Sequence, residues 1–219
     1  MSSMEYVIVS GGMVNHFILS NYIRQNKNIK VIGVDKGIEV LDCLNIIPDY
    51  ILGDFDSVDE DILSKIIKLS PDINIIEYNP NKDFTDTELA MNVAIENRAN
   101  KISIFGATGT RIDHMLANIR ILYLALKKGI FAQIIDENNK IYLIENNYTI
   151  YKEKQYGEYV SILPYYKKIE GITIKGFKYE LENAIMQYGS SLGISNEILS
   201  DKATITCKDG ILIVIESKD

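Results

Sequence analysis

The chain has no tryptophan, and among its 219 residues only two histidines and two cysteines. Cys43 and Cys207 lie far apart and form no CxxC pair, which argues against a disulfide framework or a structural zinc site. Both read as ordinary small, semi-buried side chains. Without an indole, aromatic stacking has to come from Tyr or Phe. No apolar stretch approaches the roughly 20 residues that a membrane helix requires. Met-Ser-Ser runs straight into an apolar strand-like segment, so a cytoplasmic protein without membrane contact is expected. Basic residues cluster no further than the pairs Lys127-Lys128 and Lys167-Lys168. With 23 Lys and Arg against 30 Asp and Glu, the net charge is −7, which disfavours nucleic acid, whose binding needs a basic patch to displace phosphate counterions. A polyphosphate remains compatible if a metal and a few placed cations neutralise it locally, and so does a cationic small molecule.

What is present is an ordinary soluble composition, 47% hydrophobic and 24% charged, in a length that suits one large domain or two modest ones. Up to about residue 136, short β-branched runs alternate with longer amphipathic ones. Strands are expected at Tyr6 to Val9, Lys30 to Val34, Tyr50 to Leu52, Ile73 to Ile76, Lys101 to Phe105 and Phe131 to Ile135. Helices are expected at Asn15 to Gln25, Glu60 to Leu69, Thr85 to Arg98 and Asp113 to Lys127. Nearly all-apolar strands alternating with helices predict a three-layer, Rossmann-like parallel sheet covered on both faces, with a ligand crevice at the strands' carboxyl ends. After a polar hinge at Asp136 to Asn139 the periodicity changes. Ile141 to Ile144, Tyr148 to Tyr151, Tyr159 to Leu163, Gly171 to Lys175, Ala203 to Thr206 and Ile211 to Ile215 read as short strands of an antiparallel β-sandwich. The expected domains are 1–136 and 140–219.

Three segments carry carboxylates at element boundaries. Ile51-Leu52-Gly53-Asp54-Phe55-Asp56-Ser57 ends an apolar run in a glycine and two alternating aspartates. It is either a plain acidic turn or a place where Asp54 and Asp56 converge on Mg²⁺, which favours hard oxygen ligands with water and substrate phosphates completing its shell. In Lys82-Asp83-Phe84-Thr85-Asp86, Thr85 and Glu88 form a Thr-x-x-Glu capping box, and Asp83 and Asp86 also suit the positive end of the helix dipole. Gly106-Ala107-Thr108-Gly109-Thr110-Arg111 follows a strand and precedes a helix, so it offers backbone N–H groups and a guanidinium to phosphate, although it is neither GxGxxG nor a Walker loop. His114 reads as orienting its neighbours or as a base, His16 as surface or packing. Gly193-Ile194-Ser195-Asn196-Glu197 interrupts the second half with small polar groups, and Tyr165, Tyr166, Tyr179 and Tyr188 either flank an aromatic ligand or pack in half-buried strands.

In order along the chain, Val34-Asp35-Lys36-Gly37, Gly53-Asp54-Phe55-Asp56-Ser57, Lys82-Asp83-Phe84-Thr85-Asp86, Gly106 to His114 with Asn118, and Gly193 to Glu197 resemble the motifs of the thiamine pyrophosphokinases. The resemblance implies an N-terminal α/β domain that binds ATP and a C-terminal β-sandwich that helps bind thiamine. It also implies a homodimer, with active sites where one subunit's catalytic domain meets the other's β-domain. The reaction it implies moves the pyrophosphoryl group of ATP to thiamine's hydroxyl, giving thiamine diphosphate and AMP. The expected ATP-side residues are Asp35, Gly37, Thr85, Gly109, Arg111, His114 and Asn118; Ser195 and Asn196 are expected on the thiamine side. Asp54, Asp56 and Asp86 are expected around Mg²⁺, with Asp83 supporting them. Asp113 is expected to orient Arg111, bind metal or accept the alcohol proton. Two positions depart from the family pattern: Lys36 stands where Asp-Gly-Gly is usual, and Thr110 where Gly-Gly-Arg is usual. A non-catalytic ligand sensor and a metal-dependent phosphohydrolase are the rival readings.

Overall fold

The computed structural model describes residues 4–56, 58–78 and 84–219. Ser57, Lys82 and Asp83, expected within two of the acidic motifs, therefore lie outside the described residues. The chain divides into two compact units, Met1–Glu137 and Asn138–Asp219, and its fold is of mixed α/β type.

In the first unit, strands β1 (Glu5–Val9), β2 (Ile29–Val34), β3 (Tyr50–Gly53), β4 (Asn74–Glu77), β5 (Lys101–Phe105) and β6 (Phe131–Ile135) pair in parallel throughout, in the order β4-β3-β2-β1-β5-β6. β1 is buried at every residue and β5 at all but its first, as expected of strands enclosed on both faces. The helices are α1 (His16–Gln25), α2 (Gly37–Cys43), α3 (Glu60–Leu69), α4 (Asp86–Glu96) and α5 (Ile112–Leu126). Three start where a capping side chain accepts first-turn amides: Asn15 for α1, Asp59 for α3 and, as expected, Thr85 for α4. Helix α2 is absent from the sequence expectations, because a short segment opening on glycine carries little periodic signal. Its glycine is a packing requirement: a Cβ at Gly37 would stand 1.9 Å from the Val9 carbonyl oxygen.

The strand order locates the site. From β1 the chain proceeds outward through β2, β3 and β4, then returns to β5 on β1's other side. The chain therefore leaves β1 and β5 for opposite sides of the sheet order, and a crevice opens at this point of the carboxyl edge.

The second unit is antiparallel. It contains β7 (Asn139–Tyr151), β8 (Tyr159–Pro164), β9 (Ile169–Lys175), β10 (Leu181–Met186), β11 (Asn196–Glu197) and β12 (Lys202–Ser217). β12 pairs with β7 from end to end, while β9 lies along its first half and β8 along its second. The two short strands expected before residue 152 are one strand, and so are the two expected after residue 202. The interruption is a bulge: Thr206 faces Asn147 and Ile211 faces Glu145, so four residues of β12 oppose Asn146 alone. Positive φ at Asn146 (59°) and Gly210 (120°) absorbs the mismatch. β10 and β11 are additions to the expectation. β10, which buries only Met186, is held by pairing with β9, and the two-residue β11 by pairing with β8.

Candidate active site

A cleft of about 490 Å³ occupies the crevice of the first unit. The turn after β1 contributes Ser10, Gly11 and Gly12, the turn after β2 Asp35 and Lys36, and the start of α4 Thr85, Asp86 and Thr87. Gly106 to Arg111 follow β5, and His114 and Asn118 come from α5. Of the residues expected on the ATP side, the structure brings Asp35, Thr85, Gly109, Arg111, His114 and Asn118 together here, with Asp86 beside them.

Backbone contacts between the loops that follow β1 and β5 build the cleft wall. Ser10 N donates to Phe105 O (2.8 Å), Gly12 N to Gly106 O (2.9 Å) and Met13 N to Thr108 O (3.0 Å). The loops approach so closely that a Cβ at Gly12 would lie 2.4 Å from both Gly106 O and Thr108 O. Gly106 has φ +69° and would collide with Ser10 O. Behind the second loop, the buried Asn118 donates from Nδ2 to Ala107 O at 2.8 Å. Ser10 Oγ and Thr87 Oγ1 share a buried hydrogen bond of 2.9 Å that ties the β1 turn to α4. The sequence reading missed Ser10, Gly11, Gly12 and Thr87. The available signal was the Gly11-Gly12 pair standing between an apolar strand and the capping Asn15.

At the mouth, Arg111 immediately precedes α5 and turns its guanidinium onto Asp113. Nε donates to Oδ1 at 3.2 Å and Nη2 to Oδ2 at 2.6 Å. The hydrogen bond from Arg111 holds the exposed Asp113 carboxyl down to about 2 and raises Arg111 in return. His114 is exposed on the same first turn. The departures from the family pattern fit the backbone: Lys36 precedes α2 in right-handed conformation (φ −59°, ψ −16°), and Thr110 is not among the residues with positive φ. Neither position needs glycine here.

Gly37, also expected on the ATP side, is not among the cleft-lining residues; it opens α2, buried against Val9, where close helix–strand packing leaves no room for a Cβ. The acidic turn after β3 adjoins the cleft at Asp35, since a Cβ at Gly53 would stand 2.4 Å from Asp35 Oδ1. Phe55, at φ 59°, packs on the core cluster of Ile38, Ile51, Val58, Ile66 and Ile73. Asp54 is left half-buried and Asp56 exposed, and Asp56 N donates to Asp54 Oδ1 at 3.2 Å. Among the described residues no three Asp, Glu, His or Cys side chains gather closely enough to hold a metal by themselves. Asp54 and Asp56 do not line the cleft that Asp86 lines. The donors at this edge are nevertheless hard carboxylate oxygens, the chemistry Mg²⁺ selects, and that ion commonly takes only one or two carboxylates beside water and substrate phosphates.

In the second unit, Ser195 is exposed at φ 53°, and its N–H donates to Ser161 Oγ at 3.0 Å. Asn196 is 2% exposed. Its Oδ1 accepts from Tyr179 N (3.0 Å) and Glu197 N (2.9 Å), and its Nδ2 donates to Tyr179 O (2.7 Å). This side chain, expected on the thiamine side, thus clamps the Tyr179 backbone. Tyr179, Tyr188 and Tyr166 are exposed, and Tyr166 meets Tyr165 edge to face at 6.0 Å between ring centroids.

Residues 22–134 match the family described as Thiamin pyrophosphokinase, catalytic domain, and residues 147–212 that described as Thiamin pyrophosphokinase, vitamin B1 binding domain. Thiamine pyrophosphokinase from Bacillus subtilis (strain 168) is 41% identical over 189 residues, covering 86% of this chain and 87% of the relative. The crystal structure of thiamine pyrophosphokinase from Bacillus subtilis superposes with a TM-score of 0.89 at 37% identity, over 98% of this chain and 99% of the other. That of thiamin pyrophosphokinase from Geobacillus thermodenitrificans does so with a TM-score of 0.85 at 32% identity, over 99% and 98%. The yeast thiamin pyrophosphokinase shares the fold, with a TM-score of 0.82 at 15% identity over 99% of this chain and 87% of that one. With both family domains matched in order and relatives this similar along nearly their whole length, the chain belongs to the thiamin pyrophosphokinase family.

Proposed function

We propose that the protein transfers the pyrophosphoryl group of ATP to the hydroxyl of thiamine, giving thiamine diphosphate and AMP. The observation that carries the reading is the cleft at the β1/β5 divergence, where two glycine-zipped loops, the start of α5 and Arg111 meet. Amides at a helix start and a guanidinium suit phosphate oxygens. In this transfer the alcohol attacks the β-phosphorus and AMP departs, so positioning and charge stabilisation dominate.

Arg111 contacts the polyphosphate, and Asp113 holds its guanidinium. A carboxyl held at about 2 has too little proton affinity at neutral pH to serve well as the base, and its two hydrogen bonds from Arg111 support the orienting role. Asp35, Thr85, Gly109, His114 and Asn118 shape the nucleotide side. Asp54, Asp56 and Asp86, supported by Asp83, would hold Mg²⁺, which when bound supplies charge neutralisation on the phosphate oxygens. Unit Asn138–Asp219 serves as a β-sandwich thiamine domain: its long β7 and β12 are shared by the β9 and β8 sides, and the family match over 147–212 supports the assignment. Ser195 meets thiamine directly, while Asn196 acts through the Tyr179 backbone. The reading includes a cytoplasmic homodimer whose active sites draw on both subunits.

Incubation with ATP, Mg²⁺ and thiamine, followed by separation of products, tests the proposal. AMP with thiamine diphosphate is the expected result. Phosphate release independent of thiamine would replace it with a hydrolase, and absence of turnover with a sensor.

A further inference from the structure

The cleft's charges are unevenly committed. Arg111 already shares its guanidinium with Asp113 at 2.6 Å. Lys36 also lines the cleft, and among the described residues its ammonium has no hydrogen-bond or ion-pair partner. Its backbone is anchored at the start of α2, where Lys36 O accepts from Glu39 N (3.2 Å) and Val40 N (3.4 Å). Its stem passes the glycine loop after β1, with Lys36 Cβ 3.5 Å from the position a Gly11 Cβ would take. The right-handed conformation at Lys36 makes no demand for glycine, so the backbone gives no reason for or against a long side chain at this position. A cation that is anchored at its base and unspent at its tip, in a cleft built for phosphate, has the chemistry of a polyphosphate ligand.

We propose that Lys36 is a nucleotide-binding residue of this chain, supplying the uncompensated positive charge that holds the ATP polyphosphate. The inference rests on the pyrophosphoryl-transfer reading. Its test is direct ATP binding, measured by equilibrium dialysis in the absence of thiamine, alongside steady-state kinetics.

Lys36→Met keeps most of the stem and removes the charge. It is expected to raise both the ATP dissociation constant and KM for ATP about tenfold, equivalent to about 1.4 kcal/mol, while KM for thiamine moves less than twofold. Lys36→Arg is expected to recover most of the loss, and the salt dependence of ATP binding should be shallower in Lys36→Met than in the parent. ATP binding by Lys36→Met within twofold of the parent, or equal loss in the Arg and Met variants, overturns the assignment. If the parent binds ATP but forms no thiamine diphosphate, the functional reading fails and the binding comparison still decides Lys36. If the parent binds no ATP, both fail.

Discussion

Arg111 and Asp113 face each other across one turn as a two-pronged pair, with Nη2 to Oδ2 at 2.6 Å and Nε to Oδ1 at 3.2 Å. Planar guanidinium matched to planar carboxylate fixes orientation as well as charge. The free energy of such an exposed pair is small, so its importance lies in where it holds Arg111.

Asp113→Asn is therefore expected to weaken ATP use by about tenfold in kcat/KM, roughly 1.4 kcal/mol, with little change in the unfolding midpoint. The titration sign follows from the pairing. Asp113 is lowered to about 2 in the folded protein, below the roughly 3.9 of an unperturbed aspartate. The pair's contribution is thus present above about pH 4 and lost as pH falls towards 2. Carboxyl NMR titration should find no Asp113 transition between pH 5 and 8; a midpoint near 6 would restore it as a candidate base.

Asn118 holds the loop after β5 from behind through its 2.8 Å bond to Ala107 O. Asn118→Ala leaves a buried carbonyl unsatisfied, and a loss of about 1–3 kcal/mol is expected from urea unfolding. The loop's looser position should also raise KM for ATP. Unchanged stability would remove the clamp from the account.

Asp56→Asn is expected to lower turnover by at least about tenfold, roughly 1.4 kcal/mol in barrier, with a raised Mg²⁺ requirement. The residue is exposed, so stability should be nearly unaffected. Wild-type turnover at saturating Mg²⁺ would take Asp56 out of the site.

Ser195 and Asn196 should separate cleanly. Ser195→Ala is expected to raise KM for thiamine more than KM for ATP, with stability within about 0.5 kcal/mol, as for an exposed side chain. Asn196→Ala removes three bonds to backbone groups and should cost about 2 kcal/mol or more. Equal thermal stability of the two variants would refute the division of roles.

Local signals in the chain specify a good deal of this architecture. Apolar runs mark all six strands of the first unit, and Asn15, Asp59 and Thr85 cap three helices close to where the periodic pattern begins. The ordered motifs identify the family, because tight backbone turns require particular residues at particular places. Elsewhere the same local logic failed. Asn146 and Gly210 read as breaks between strands, but cross-strand pairing carries β7 and β12 through them as a bulge. For Gly37, expected on the ATP side, the approach of α2 to β1 adds a packing requirement that the local sequence does not display.

Sequence alone thus determined the strands of the first unit and its helices other than α2, and which residues carry charge and hydrogen-bonding groups at their ends, since those follow from periodicity, capping and composition within a few residues. Tertiary structure decided how those groups are committed. It set the Gly12 loop against Gly106, gave Arg111's charge to Asp113 and left that of Lys36 unspent, and engaged the Asn196 side chain with the Tyr179 backbone. Each of these depends on groups distant in sequence or on side-chain direction, and only the folded chain brings them within hydrogen-bonding distance.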